Sequence, residues 1–121
     1  MPLGKLGQFA LGVTDADRAE AFYETTLGLT KLYRFGDLVF FDCEGVRLML
    51  EGTTEVTRSN DVCHYFHVCA IDAEVAALEA RGVAFTQQPH LIADMPDHEL
   101  WMAFFADPDG HTLALMEERA K

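Results

Sequence analysis

The chain opens with an alternating apolar pattern that is followed by a helical one. Residues 8–13, QFALGV, alternate as in a strand, and residues 14–28 carry apolar positions at helical spacing. Thr14 or Asp15 can cap this helix, because a short side-chain oxygen accepts an otherwise unpaired N–H. Gly28 suits the left-handed residue that commonly ends a helix. We therefore predict a strand and then a helix.

The same order returns in the second half. Residues 63–68, CHYFHV, alternate again, and residues 71–82 follow with helical spacing. We expect Asp72 to cap this helix and Gly82 to close it. The predicted buried positions of the helix are Val75 and Leu78.

Two hairpin patterns repeat at an offset of 65 residues. The segment VFFDCEGVRLML matches FFADPDGHTLAL, which aligns Phe40 with Phe105 and Asp42 with Asp107. In the second turn Pro108 precedes Gly110 at the spacing of a type I turn that ends in a left-handed glycine.

The first strands of the two halves match at an offset of 55 residues, which aligns Gln8 with Cys63. The sequence therefore predicts a single domain that contains two copies of strand, helix and further strands. Module one extends over about residues 4–56 and module two over about residues 60–118.

The two copies differ between the helix and the hairpin. The second copy has about eleven additional residues there, within TQQPHLIADMPDHEL. Two prolines and several polar residues favour a loop over residues 86–99. A functional lid and a purely structural excursion are equally compatible with this segment.

Composition excludes several classes of partner. A chain of 121 residues with net charge −11 is a poor binder of nucleic acid and of anionic membranes, which attract clustered Lys and Arg. No apolar run approaches the roughly 20 residues of a membrane span. Because no export signal is visible, we expect a cytoplasmic protein whose three cysteines are free thiols.

Three segments carry a family resemblance: ALGVTDADRAEAFYETTLGL, IDAEVAALEARGV and FFADPDGHTLALME. Together they resemble the vicinal oxygen chelate superfamily, which includes glyoxalase I, methylmalonyl-CoA epimerase, extradiol dioxygenases and bleomycin-resistance proteins. The resemblance implies an α+β fold in which two βαβββ modules form a curved mixed sheet around a central cavity. It also implies a homodimer, as in many members.

Enzymes of this superfamily hold a divalent metal on the inner face of the sheet, with ligands from the first and last strands of each module. The resemblance places Gln8 and Met49 at these positions in module one. In module two it places Ala114 and Cys63, or His64 if the alignment shifts by one residue.

These residues depart from the metal-binding pattern. Gln8 offers a carbonyl oxygen, but the thioether of Met49 suits soft ions and Ala114 offers no ligand. Glu51 lies two residues beyond Met49 on the same face, roughly 6.6 Å along the strand. We therefore expect no cofactor. The alternative is a divalent metal at a displaced site formed by Gln8, His64 and Glu51.

Other residues have two interpretations each. His67 lies on the predicted inner face, where it is a candidate catalytic acid or base or a ligand contact. The thiol of Cys63 is either a nucleophile or an inert buried group. Trp101 is either core or an aromatic wall for a flat ligand. The predicted loop gathers polar groups without the spacing of a metal motif, namely His90, Asp94, Asp97, His98 and Glu99.

We expect the inner face to bind a small organic molecule, since Met49 and Ala114 remove charge from the cavity. The expected contacts are Gln8, Arg47, Met49, Cys63, Tyr65, His67, Trp101 and Ala114. The net negative charge favours a cationic ligand. One alternative is a metal-dependent lyase, epimerase or dioxygenase with a displaced site; another is a metal-free isomerase that uses His67.

Overall fold

The computed structural model describes residues 3–57 and 61–121. The chain divides into two compact units, Met1–Thr57 and Arg58–Lys121, which we call unit one and unit two. Each described unit has the order strand, helix, three strands. Each forms a mixed four-stranded sheet, so the predicted α+β fold with two βαβββ modules is confirmed.

Unit one contains four strands and one helical segment. The strands are β1 (Gln8–Val13), β2 (Thr30–Phe35), β3 (Leu38–Cys43) and β4 (Val46–Gly52). Helix α1 (Ala16–Ala21) continues into a π-helical segment, Phe22–Thr26. The strand order is β1-β4-β3-β2, with β1 parallel to β4 and the other pairs antiparallel.

Helix α1 begins where the sequence predicts. The Asp15 carboxylate accepts a hydrogen bond from the Arg18 backbone N–H at 3.0 Å, which satisfies one donor of the first turn. One face of the sheet packs against this helix. Its core consists of Leu11, Val13, Ala16, Ala19, Tyr23, Val39, Phe41, Leu48 and Leu50. Gly28 has a φ of +78°, as expected for the residue that ends the helical segment.

Unit two repeats this arrangement with longer strands. They are β5 (Cys63–His67), β6 (Phe85–Asp94), β7 (His98–Ala106) and β8 (Thr112–Ala120), in the order β5-β8-β7-β6. Helix α2 (Ile71–Ala80) covers one face of this sheet, and both Val75 and Leu78 are buried as predicted.

The expected cap of α2 is wrong. The helix begins at Ile71, so Asp72 already lies in the first turn and no side chain of the preceding residue caps it. The carboxylate of Glu117 on β8 performs this role instead, accepting the Ile71 N–H at 2.8 Å. Arg119 then connects the two acids, with N–O distances of 3.2 Å to Glu117 and 2.9 Å to Asp72.

The repeat holds for the last strand of each unit but shifts by one residue in the strand before it. Phe40 pairs with Met49, whereas Phe104 pairs with Ala114. Phe40 therefore corresponds to Phe104, and the predicted match with Phe105 is wrong.

The turns explain this shift. In unit one, two residues connect the strands, and both Glu44 (φ 51°) and Gly45 (φ 95°) have positive φ, as a type I′ turn requires. In unit two a three-residue loop lies between Asp107 and His111, whose backbone groups bond at 3.0 Å. Gly110 has a φ of 89°, as predicted for the end of this turn.

The loop predicted over residues 86–99 is also wrong. The additional residues lengthen β6 and β7, which meet in a short turn where Met95 N–H donates to the His98 carbonyl at 2.9 Å. The pairing of β6 with β7 is irregular between Gln87 and His90, and Pro89 lies within that interruption. A proline without an N–H is tolerated in a strand at such a bulge.

Each sheet thus has one face covered by its own helix and one that its helix leaves uncovered, which we call the helix-free face. Within residues 3–57 and 61–121, no helix has the length and apolar character needed to cross a membrane.

Candidate functional site

The helix-free face of unit one carries two neighbouring rows of side chains that cross the sheet. Paired residues on adjacent strands point to the same face, so the register defines each row. The first row contains Gln8, Arg47 and Asp42. The second contains Ala10, Met49, Phe40 and Tyr33.

Gln8 connects these rows through both ends of its amide. Its carbonyl oxygen accepts a hydrogen bond from Arg47 Nε at 2.7 Å. Its amide nitrogen faces the Met49 sulfur at 3.9 Å. Both Gln8 and Arg47 are exposed, whereas Met49 is half-buried. The Gln8 carbonyl oxygen is therefore already engaged by Arg47, and this bond orients the arginine side chain.

Aromatic rings continue this surface toward the β2 edge. The Arg47 guanidinium lies 5.3 Å from the centre of the Phe40 ring. Phe40 and Tyr33 stack with their centroids 4.6 Å apart and an interplanar angle of 28°. Tyr33 is 49% exposed, and Phe35, two residues further along β2, is 77% exposed. Phe40 itself is only 8% exposed, so the face joins a held cation to apolar area that belongs mainly to Tyr33 and Phe35.

The helix-free face of unit two is less polar. Tyr65 pairs with Ala114, and His67 pairs with Met116. Ala114 is fully buried and Tyr65 contacts Phe104 edge-on, with centroids 6.3 Å apart. His67 is exposed on this face, as the sequence predicted.

Cys63 begins this face in register with Thr112. Burial raises the pKa of the Cys63 thiol, opposed by a hydrogen bond with Tyr65. The pKa of the Tyr65 phenol is raised in turn, first by the negative charge of the Cys63 thiolate and then by burial. A thiol that keeps its proton is a weak nucleophile, which favours the inert interpretation of Cys63.

The helix-covered face carries Trp101, which was an expected contact, and His64, which belonged only to the alternative metal site. His64 is in register with Leu113, and burial followed by the charge of His111 lowers its pKa. Trp101 is in register with Glu117, and the Arg119 guanidinium lies 4.5 Å from the centre of its ring. The sheet therefore does not bring Trp101 together with Tyr65 and Ala114 on one face.

Polar residues of the predicted loop pair with one another and with residues at or just after the end of β8. His98 contacts Asp97 at 2.8 Å and Glu118 at 3.2 Å. Asp94 pairs with Lys121. No group of three or more metal-binding side chains occurs in the described part of the chain.

Residues 5–115 match the Glyoxalase/Bleomycin resistance protein/Dioxygenase superfamily. The chain belongs to this superfamily. The match covers both units and agrees with the repeated βαβββ order of the strands and helices.

Relatives of this superfamily cover nearly the whole chain. The metallothiol transferase FosB of Lysinibacillus sphaericus is 25% identical over 114 residues, which are 92% of this chain and 80% of FosB. The structure of lactoylglutathione lyase from Agrobacterium tumefaciens is 22% identical with a TM-score of 0.75, covering 97% and 96% of the two chains. A glyoxalase/bleomycin resistance protein/dioxygenase from Alicyclobacillus acidocaldarius is 21% identical with a TM-score of 0.76, covering 94% and 91%. These structures support the fold.

The superfamily's metal positions can now be compared with these side chains. The β1–β4 and β5–β8 registers align Gln8 with Cys63 and Met49 with Ala114. The carbonyl oxygen of Gln8 accepts from a guanidinium, and neither a thioether nor a methyl group is a ligand for a hard divalent ion. Met49 and Ala114 therefore supply no ligand for such a metal, which leaves only Gln8 and the Cys63 thiol at the other two positions.

Sequence reasoning missed the aromatic part of the unit-one face. Phe40 and Tyr33 were absent from the expected contacts, although the Glu44–Gly45 turn fixes the side of the sheet on which Phe40 lies. The signal was the two-residue connection itself, because it aligns Phe40 with Met49 across the hairpin.

Proposed function

We propose that this chain binds a small organic ligand on the helix-free face of unit one, without a divalent metal at the superfamily's ligand positions. The observation that carries the proposal is the 2.7 Å hydrogen bond from Arg47 Nε to the Gln8 carbonyl oxygen. A metal ion at that oxygen would lie beside a permanent positive charge and would compete with it for the same lone pairs.

The surroundings support an organic ligand. Met49, Phe40 and Tyr33 provide apolar area next to a small number of fixed polar groups, which is the usual composition of small-molecule sites. We propose separately that the helix-free face of unit two contacts such a ligand through Cys63, Tyr65, His67 and Ala114. Trp101 is left out, because it lies on the helix-covered face.

The test combines metal analysis with ligand mapping. Protein purified without chelators should contain far less than one equivalent of Fe, Mn, Ni or Zn. Small organic fragments should shift backbone amide NMR signals on the helix-free face of unit one and leave those of α1 in place. Near-stoichiometric metal that is lost in Gln8→Ala would overturn the proposal.

The second candidate function is an enzyme of the same superfamily, supported by the similarity to the metallothiol transferase FosB. In this chain a displaced metal would need Gln8, His64 and Glu51, but His64 lies on the opposite face of its sheet. A metal-free isomerase would use His67, which is exposed on the helix-free face of unit two. Turnover that is abolished by His67→Ala and unaffected by chelators distinguishes the isomerase from the metal enzyme.

A further inference from the structure

The helix-free face of unit one presents an exposed cation, Arg47, beside the half-exposed ring of Tyr33. Given the proposed function, on which this inference rests, we propose that the face recognises a carboxylate carried on a flat apolar body. Arg47 binds the carboxylate, and Met49 and Tyr33 receive the flat body, with Tyr33 held by the Phe40 ring on which it stacks.

Arg47 is fixed by two hydrogen bonds. Its Nε donates to Gln8, and its backbone N–H donates to the Gly7 carbonyl at 2.9 Å. Among residues 3–57 and 61–121, no carboxylate lies within ion-pairing distance of Arg47. The two terminal nitrogens of the guanidinium therefore remain available on an exposed side chain whose orientation is already fixed.

The two acids that lie nearest to Arg47 on the same face are Asp42 and Glu51. Asp42 is in register with Arg47, but its Oδ1 accepts the Gly45 N–H of the hairpin turn at 2.9 Å. Glu51 lies four residues from Arg47 along β4, roughly 13 Å away at the usual rise per residue. Asp42 thus keeps its charge across from Arg47, but its carboxylate is held by the turn and forms no ion pair with the guanidinium.

The two rows of side chains lie at a distance that suits a ligand with a polar end and an apolar body. The row of Met49, Phe40 and Tyr33 lies two residues from Arg47 along the strands, about 6.6 Å at the usual rise. It crosses three strands, which are about 4.8 Å apart, so it offers roughly 10 Å of surface. Phe40 is only 8% exposed and stacks against Tyr33, so the apolar area open to a ligand is mainly that of Met49 and Tyr33. An aryl group with a carboxylate at one end matches both the length and the polarity.

The shape and charge of the guanidinium favour a carboxylate over other anions. A planar guanidinium with two available nitrogens pairs with a carboxylate through two parallel hydrogen bonds. One arginine balances one negative charge, so a monoanion fits this face better than a phosphate dianion. A cationic ligand, as expected from net charge, would instead meet the positive charge of Arg47 at this end of the face.

The test uses three probes with the same ring system: naphthalene-2-carboxylate, its primary amide and 2-naphthylmethylammonium. Titrations of isotope-labelled protein are followed through backbone amide signals of β1, β2 and β4. The carboxylate should bind at least about tenfold more tightly than the amide, the difference expected of a charge-assisted pair. The ammonium should bind most weakly.

Variants assign the effect to Arg47. Arg47→Gln should remove the preference for the carboxylate, so that acid and amide bind alike. Arg18→Gln removes one positive charge from helix α1 of the same unit and should leave the preference unchanged. Asp42→Asn, which keeps the acceptor in the turn, should strengthen carboxylate binding a few-fold.

The outcomes separate the two levels of the proposal. Equal binding of carboxylate and amide on this face would overturn the carboxylate preference while the proposed function stands. Signals that do not move with any probe would overturn both. Loss of the preference in Arg18→Gln as well would show that net charge, and not Arg47, is responsible, which also overturns the inference.

Discussion

Gln8 and Arg47 are locked together on the helix-free face of unit one, with 2.7 Å between the glutamine carbonyl oxygen and Arg47 Nε. This contact predicts losses of different size for two substitutions at one position. Gln8→Ala leaves the cation in place but releases its orientation, so the naphthoate probe should bind only a few-fold more weakly. Gln8→Glu supplies an internal carboxylate that pairs with Arg47, so binding should fall about tenfold or more.

The measurement for these variants is the same NMR titration, with the neutral amide as the control ligand. Amide binding should change little in either variant, because the aromatic row is untouched. If Gln8→Glu binds naphthoate as tightly as the natural protein does, Arg47 does not hold the anion.

Glu117 should be a major contributor to the stability of unit two. It is 9% exposed and accepts the Ile71 N–H at 2.8 Å in a buried setting. Glu117→Ala should lower the free energy of unfolding by about 2–3 kcal/mol, because it leaves a buried donor without its charged acceptor. Urea denaturation measures the change. Glu118→Ala, which removes an exposed partner of His98, should cost less than about 1 kcal/mol.

The two hairpin turns provide a matched comparison. Asp107 is buried, and its Oδ1 accepts N–H groups of Asp109 at 3.0 Å and His111 at 2.8 Å. Asp42 accepts the Gly45 N–H alone, in an exposed turn. Asp107→Ala should therefore destabilise the protein by about 2 kcal/mol and Asp42→Ala by about 0.5–1 kcal/mol. Equal losses in thermal or urea unfolding would contradict this account.

The backbone of Glu44 has a left-handed conformation that asparagine and glycine adopt more readily than glutamate. Its φ of 51° lies in the left-handed region, which costs a residue with a Cβ roughly 1–2 kcal/mol. Glu44→Asn creates Asn-Gly, the preferred pair for a type I′ turn. The variant should be more stable by about 0.5–1 kcal/mol in urea unfolding. A loss of stability would indicate that the glutamate makes a compensating interaction.

His64 should make stability depend on pH. Burial, followed by the charge of His111, lowers its pKa below the ordinary value of 6.5. The unfolded chain takes up the proton first, so this contribution is fully present above about pH 6.5 and is lost as the pH falls through the folded pKa. The melting temperature of His64→Gln should decrease less than that of the natural protein between about pH 7.5 and pH 5. Parallel decreases would show that His64 does not contribute.

Much of the fold follows from the sequence because its signals are local. Alternation in QFALGV defines β1, Asp15 caps α1, and Gly28, Gly82 and Gly110 mark positions of positive φ. The repeat of these features predicts two βαβββ units. The last-strand alignment of Met49 with Ala114 also holds, because each pairs in the same register with the first strand of its unit.

The errors arose where a tertiary partner or a bulge outweighed local pattern. Asp72 has the chemistry of a cap, but Glu117 reaches the first N–H of α2 from a distant strand. Residues 86–94 carry a proline and polar groups, yet pairing with β7 and bulges in the register keep them in a strand. Trp101 was compatible with either face until the β7–β8 register placed it beside Glu117.

The sequence by itself determined the order of elements, the superfamily resemblance and the loss of carboxylates at Met49 and Ala114, because each is a property of residue type and spacing. Only the tertiary structure decided which side chains surround those positions. Sheet pairing brings Arg47 onto the Gln8 oxygen and stacks Tyr33 on Phe40, residues 39 and 7 positions apart in the chain. Such contacts depend on strand register, and register is fixed by turns and core packing together.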